Sequence, residues 1–176
     1  MLKGGTWCQW LVVAAICGSL ATIKSHAAEI GEPVKLEKIE AAKGRALTGK
    51  RLQRKVTVIN LWATWCEACK IELAEMADQF KSVRKHKNLQ IAFVSLDKDP
   101  DAARAYFAEK FKDTPWMMEH LYFDPQFSLA ESLHAQSFPM TVIVTPRGKV
   151  GYVQAGFEAG KGHTEALVTE VKSYLK

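Results

Sequence analysis

The sequence predicts an α/β domain in which a mixed β-sheet is flanked by helices. Three observations lead there. Two apolar, β-branched-rich runs, Val56–Leu61 and Leu89–Leu96, are separated by a stretch with helical periodicity, and a helical crossover joins parallel strands. Two further runs, Met140–Thr145 and Val150–Ala155, flank Pro146-Arg147-Gly148. Proline second and glycine fourth in Thr145-Pro146-Arg147-Gly148 suit a tight turn, so these strands form an antiparallel hairpin.

The elements follow in order. Residues 28–54 are the least readable stretch, an N-terminal extension with room for a strand or hairpin before the core domain of residues 55–176. Val56–Leu61 reads as a buried strand. Glu67 to about His86 reads as a helix with Leu73, Met76, Ala77, Phe80 and Val83 on one face. Leu89–Leu96 is the second strand. Asp99-Pro100 is an N-cap followed by proline at the first helical position, opening a helix to about Phe111 with Tyr106, Phe107 and Phe111 apolar. Leu121–Phe123 is a short strand. Asp124-Pro125 repeats the helix-start signal ahead of Phe127, Ala130 and Leu133. After the hairpin, Thr164–Leu175 closes the chain as a helix burying Leu167, Val168, Val171 and Leu175.

The N-terminus reads as an export signal. Lys3 supplies the positive start, Trp10–Leu20 an apolar core, and Ser25-His26-Ala27 the small residues of a cleavage site before Ala28. Residues 1–27 are therefore expected to be a signal peptide. A retained membrane anchor is the alternative, because Thr6–Ile23 is uncharged and comes close to spanning length. Cleavage removes Cys8 and Cys17 and leaves Cys66 and Cys69 as the only thiols. The net charge of +5 falls by two with Lys3 and Lys24. The remaining cations are scattered, and Lys81–Lys87 reads as the wet end of a helix, so no nucleic-acid partner is expected.

The chemistry is concentrated in Trp62-Ala63-Thr64-Trp65-Cys66-Glu67-Ala68-Cys69-Lys70. A strand–turn–helix junction puts Cys66 at a helix N-terminus, where free N–H groups and the helix dipole favour a thiolate. Cys69 sits one turn on, within reach of a disulfide that opens and closes with little backbone movement. Thiol–disulfide exchange is the leading reading, and a structural bond or half a metal site are the alternatives. A structural zinc site needs about four ligands, and neither a second such pair nor a clustered Cys/His set follows.

Val58-Ile59-Asn60-Leu61-Trp62-Ala63-Thr64-Trp65-Cys66, then Cys69-Lys70-Ile71-Glu72, Val94-Ser95-Leu96-Asp97, Phe138-Pro139-Met140-Thr141 and Pro146-Arg147-Gly148 stand in order. Together they resemble the thioredoxin superfamily, and within it the TlpA/ResA-like exported thiol–disulfide oxidoreductases, over roughly residues 55–175. The resemblance implies a thioredoxin-like three-layer sandwich, with the Asp99–Phe111 helix as the insertion between the second and third core strands. It implies that Cys66 attacks and Cys69 resolves the mixed disulfide. Pro139 aligns with the cis-proline that lies beside the cysteines and presents backbone to substrate. Phe138 is a departure, since many relatives carry Thr or Val there, so substrate choice does not carry over with the motif. Glu72 matches an acid of this subgroup that raises thiol pKa values and shuttles a proton to or from Cys69; a surface helix glutamate is the alternative. Asn60 stands where cytoplasmic thioredoxins keep a buried acid.

The residues between the cysteines set the poise. Glu67 adds negative charge beside the thiolate, and Ala68 replaces a proline common in relatives. Lys70 opposes Glu67 but is expected to be solvated. Trp65 is expected to shield the site and contact substrate, and Trp62 to pack. The reading is a periplasmic protein-disulfide reductase with the Cys66–Cys69 pair as its redox centre, no metal and no separate cofactor. Clients implied by the resemblance are protein thiols and disulfides, such as apocytochrome c or a copper-assembly protein, with a membrane electron donor of the DsbD/CcdA type. A copper-binding assembly factor and a disulfide-introducing oxidase are alternatives. The copper factors use a three-residue spacing, against the two residues here. A peroxidase is disfavoured by Ile59 and Ala63, where its motif needs Pro and Thr. Met117, Met118 and His120 form a weak soft-ligand candidate, and His134 reads as a packed or surface histidine.

Overall fold

The computed structural model describes residues 28–176; the expected signal segment and its two cysteines lie outside the described residues. The elements are β1 (Lys38–Ala41), β2 (Leu47–Thr48), α1 (Gly49–Leu52), β3 (Val56–Trp62), α2 (Glu67–Gln79), β4 (Leu89–Ser95), α3 (Pro100–Lys110), α4 (Trp116–Glu119), β5 (Leu121–Phe123), α5 (Ser128–Ser132), β6 (Met140–Val144), β7 (Val150–Ala155) and α6 (His163–Tyr174). They build one sheet in the order β2-β1-β5-β4-β3-β6-β7. β3, β4 and β5 are parallel, while β6 and β7 continue the sheet antiparallel on one side and β1 and β2 on the other.

Every residue of β3 and β4 is buried, as central strands covered on both faces require. Alternation divides their side chains between two cores. Val58, Trp62, Ile91 and Phe93 pack with Leu73, Met76, Phe107 and Val171 from α2, α3 and α6. Ile59, Leu61, Ala92 and Val94 face Leu129, Leu133, Leu52 and Ile39 on the opposite side. The result is the three-layer sandwich, with both layers of helix seated against one sheet.

Local signals and tertiary packing differ at two places. The helix after the cysteines ends at Gln79, short of His86, and passes into a 3-10 turn, Phe80–Ser82. Side chains three apart eclipse in that turn, so Phe80 and Val83 both reach the core. Asp124-Pro125 forms a turn instead of starting a helix; α5 begins at Ser128. The Asp124 carboxylate still serves α5, accepting the N–H groups of Ser128 and Leu129, each at 2.9 Å. Residues 28–54 hold the strands for which the sequence left room, β1 and β2, which pair with each other and join the sheet at its edge.

Two expected signals act as read. Asp99 caps α3 by accepting the Asp101 N–H at 3.0 Å, with Pro100 first in the helix. The Gly148 N–H donates to the Thr145 carbonyl at 2.8 Å, closing the β6–β7 turn. At Gly151 a Cβ would stand 2.8 Å from Tyr174 Oη; the bare glycine lets that hydroxyl donate to the Gly151 carbonyl at 2.8 Å, pinning α6 to β7.

Candidate active site

β3 ends at Trp62, and after three intervening residues Cys66 caps α2. Its Sγ accepts the Cys69 N–H at 3.2 Å, so the sulfur lies on the free N–H groups of the helix, where a thiolate is favoured. Cys66 and Cys69 are joined by a disulfide, with Cα atoms 5.3 Å apart. Cys66 keeps 9% of its surface and Cys69 none. An incoming thiol or disulfide therefore meets Cys66.

The loop between strand and helix is held by Asp97, just beyond β4. Its buried carboxylate accepts the Thr64 N–H at 3.1 Å, the Thr64 hydroxyl at 2.6 Å and the Ser95 hydroxyl at 2.8 Å. The sequence reading gave Asp97 no role. Its signal was a carboxylate at the C-terminal end of a buried parallel strand, the edge where α/β sheets assemble their sites.

Glu72 follows Cys69 by three residues on α2 and is 1% exposed, which excludes a surface glutamate. Its Oε2 accepts from Asn60 Nδ2 at 2.6 Å, and its Oε1 accepts from Gln154 Nε2 at 2.9 Å and from the Thr141 hydroxyl at 3.4 Å. Burial pushes the carboxyl up to about 7; the Asn60 and Thr141 hydrogen bonds oppose the shift and the Glu75 charge adds to it. Gln154 and Thr141 are partners that sequence reasoning did not find, because they arrive from β7 and β6.

The Phe138–Pro139 peptide is cis. Pro139 is buried and its carbonyl accepts the Gly156 N–H at 2.8 Å. The Phe138 ring meets Trp65 edge-on, centroids 6.1 Å apart, which brings the proline loop against the cysteine loop. Trp65 is 61% exposed and Ile71 47%, two large apolar side chains open to solvent. Trp62 is fully buried against Tyr106 and Phe107.

Glu67 is open to solvent and ion-paired with Lys70. Lys70 is only partly exposed, so it is not simply solvated; it offsets the Glu67 charge beside Cys66. Ala68 is half-buried against the core. Met117 is fully buried, and His120 packs on Trp116, with burial lowering its pKa. His134 is exposed.

Residues 53–150, more than half of the chain, match the family model described as thioredoxin-like. The chain belongs to the thioredoxin-like family. Within that family it is similar to the thiol-disulfide oxidoreductase ResA of Bacillus subtilis, 25% identical over 138 residues, covering 78% of this chain and 71% of that protein. ResA of Oceanobacillus iheyensis is 28% identical over 105 residues, covering 60% of this chain and 52% of that one. Among thioredoxin-like structures, a thiol:disulfide interchange protein of Chlorobium tepidum superposes with a TM-score of 0.64 at 16% identity, over 85% of this chain and all of that one. That likeness covers a larger share of the chain than residues 53–150.

Proposed function

We propose that this chain is an exported protein-disulfide reductase working through Cys66 and Cys69. The coarser activity, thiol–disulfide oxidoreductase of the ResA type, follows from its relatives. The observation that carries the direction is Glu72, buried one turn beyond Cys69 with its carboxyl raised to about 7. Once ionised, its charge beside the pair disfavours thiolate, which destabilises the reduced form and makes the couple more reducing.

The steps follow from the geometry. The Cys66 thiolate attacks a client disulfide; a bond forms between Cys66 Sγ and one client sulfur, and the other leaves as thiolate and takes a proton from solvent. Glu72 takes the proton from Cys69, whose thiolate attacks Cys66 Sγ; the second client sulfur leaves as a thiolate and takes up the proton that Glu72 gives back. The client gains two electrons, and the protein is left as the Cys66–Cys69 disulfide seen here. Phe138, Pro139 and Trp65 form the wall that receives the client backbone.

Export rests on the N-terminal segment, read as a cleaved signal or a retained anchor delivering the domain to the periplasm. Among the described residues no helix is long and apolar enough to cross a membrane. Clients consistent with this reading are apocytochrome c or a copper-assembly protein, with electrons returned by a membrane donor of the DsbD/CcdA type. The deciding experiment is the reduction potential of the pair, by equilibrium with glutathione or dithiothreitol. A value well below about −200 mV is expected; one near about −120 mV makes the protein a disulfide-introducing oxidase.

A further inference from the structure

A cavity lies at the end of the sheet opposite the disulfide. β3 and β4 run parallel, so Lys55 and Gln90 lie near their starts, while the cysteines follow the end of β3. The cavity of about 630 Å³ opens there between β1–β2, α1, β4 and β5. That is the size of pockets that hold small organic ligands, about 300–1,000 Å³.

Five cations line it: Lys43, Arg45, Arg51, Arg54 and Lys55, against the single acid Glu119. None of the five is ion-paired with a carboxylate among the described residues. Five like charges gathered against one carboxylate repel one another, and an anion relieves that repulsion. Arg51 is fixed in place, its Nη1 donating to the Arg45 and Ala46 carbonyls at 2.6 and 2.9 Å. Arg54 is held with φ at +86°, where a side chain is disfavoured, and its N–H donates to the Pro146 carbonyl at 2.9 Å. A second, independent feature is Gln90, a lining residue only 8% exposed, whose Nε2 is buried with no hydrogen-bond partner. A buried donor without a partner carries a desolvation penalty that a ligand oxygen can remove.

We infer that this cavity binds a phosphate-bearing anion. Guanidinium groups present forked donors that match phosphate oxygens, and Gln90 supplies a neutral amide to the same ligand after reorientation. The phosphate comes either from a soluble ester or from the headgroup of an anionic lipid, and the two differ in whether the ligand sits in a surface. Because the disulfide lies at the far end of the sheet, occupancy leaves it free for exchange.

The test uses the full chain and two probes: pyrophosphate in calorimetry, and vesicles of phosphatidylcholine with or without phosphatidylglycerol in co-sedimentation. The variant is Arg45→Gln with Arg54→Asn, since Asn tolerates the positive φ; Lys43→Gln with Lys55→Gln is a second variant that leaves the strained backbone untouched. Saturable pyrophosphate binding, weakened about tenfold or more by either variant, assigns a soluble ligand. Binding only to phosphatidylglycerol vesicles, lost in the variants, assigns a lipid headgroup. Disulfide exchange is expected unchanged in both variants, which separates this site from the redox function. Absence of binding to either probe, or binding that both variants retain in full, overturns the inference.

Discussion

Asn60 donates its amide hydrogen to Glu72 Oε2 at 2.6 Å, tying the strand that leads into the disulfide to the helix that leads out of it. The same Nδ2 donates to the Thr141 hydroxyl at 2.8 Å, so one amide links β3, α2 and β6 beneath the cysteines. These hydrogen bonds fix the carboxyl on α2 in the disulfide form. Its protonation is then the variable that the site can use.

The first prediction is a pH dependence of stability. The Glu72 carboxyl titrates at about 7 in the fold against an ordinary 4.5. Below about pH 4.5 it is protonated in both folded and unfolded chains and contributes no difference. Between the two values the fold holds a proton that the unfolded chain has lost, so stability falls as pH rises. Above about pH 7 the loss is complete, on the order of 3 kcal/mol. Urea denaturation of the oxidised protein across this range checks it. Glu72→Gln is expected to flatten the slope and, in the reduced protein, to lower the apparent thiol pKa; a slope and titration identical to the parent would remove Glu72 from the proposed proton path.

Cysteine variants separate the two sulfurs. Cys66→Ser is expected to abolish disulfide exchange, while Cys69→Ser accumulates mixed disulfides with clients, visible on non-reducing gels. The physical reason is access, because Cys66 keeps some exposed surface and Cys69 has none. Exchange persisting in Cys66→Ser would overturn the assignment.

Asp97→Ala is expected to cost about 2 kcal/mol in denaturant unfolding, because it leaves the Thr64 N–H and the Thr64 and Ser95 hydroxyls without their acceptor. The loop before Cys66 loosens with it, so the alkylation rate of the reduced Cys66 should change as well. A stable variant with parental alkylation would mean that the loop is held by packing alone.

Trp65→Ala separates client contact from chemistry. The ring is mostly solvent-exposed and touches Phe138 edge-on, so stability should change by less than about 1 kcal/mol. Turnover of a small disulfide such as oxidised glutathione should be nearly unchanged, whereas KM for a protein disulfide should rise. Equal effects on both substrates would place Trp65 in the chemistry.

Gly151→Ala tests the join between β7 and α6. The added methyl would stand 2.8 Å from Tyr174 Oη and 2.9 Å from Thr145 Cγ2, too close without movement of α6. The expected loss is about 1–3 kcal/mol in thermal or urea unfolding, with disulfide exchange retained.

Much of this protein was legible in the chain itself, for a local reason. The order of strands and helices, the Asp99-Pro100 helix start, the β6–β7 turn and Cys66 at a helix N-terminus each depend on residues within a few positions of one another, where periodicity and capping speak directly. The end of α2 was not legible, because the 3-10 turn at Phe80 answers to a core built from distant strands. Asp97 reaches Thr64 across 33 residues and Gln154 reaches Glu72 across 82, and no local pattern encodes such pairs. By itself the sequence determined that two cysteines sit at a strand–helix junction and which residues flank them along the chain. Only the tertiary structure decided that Glu72 is buried with a raised pKa, that Lys70 neutralises Glu67, and that scattered cations converge on one cavity. Burial and charge proximity are properties of where chain segments meet, and that meeting is set by the packing of both cores against one sheet.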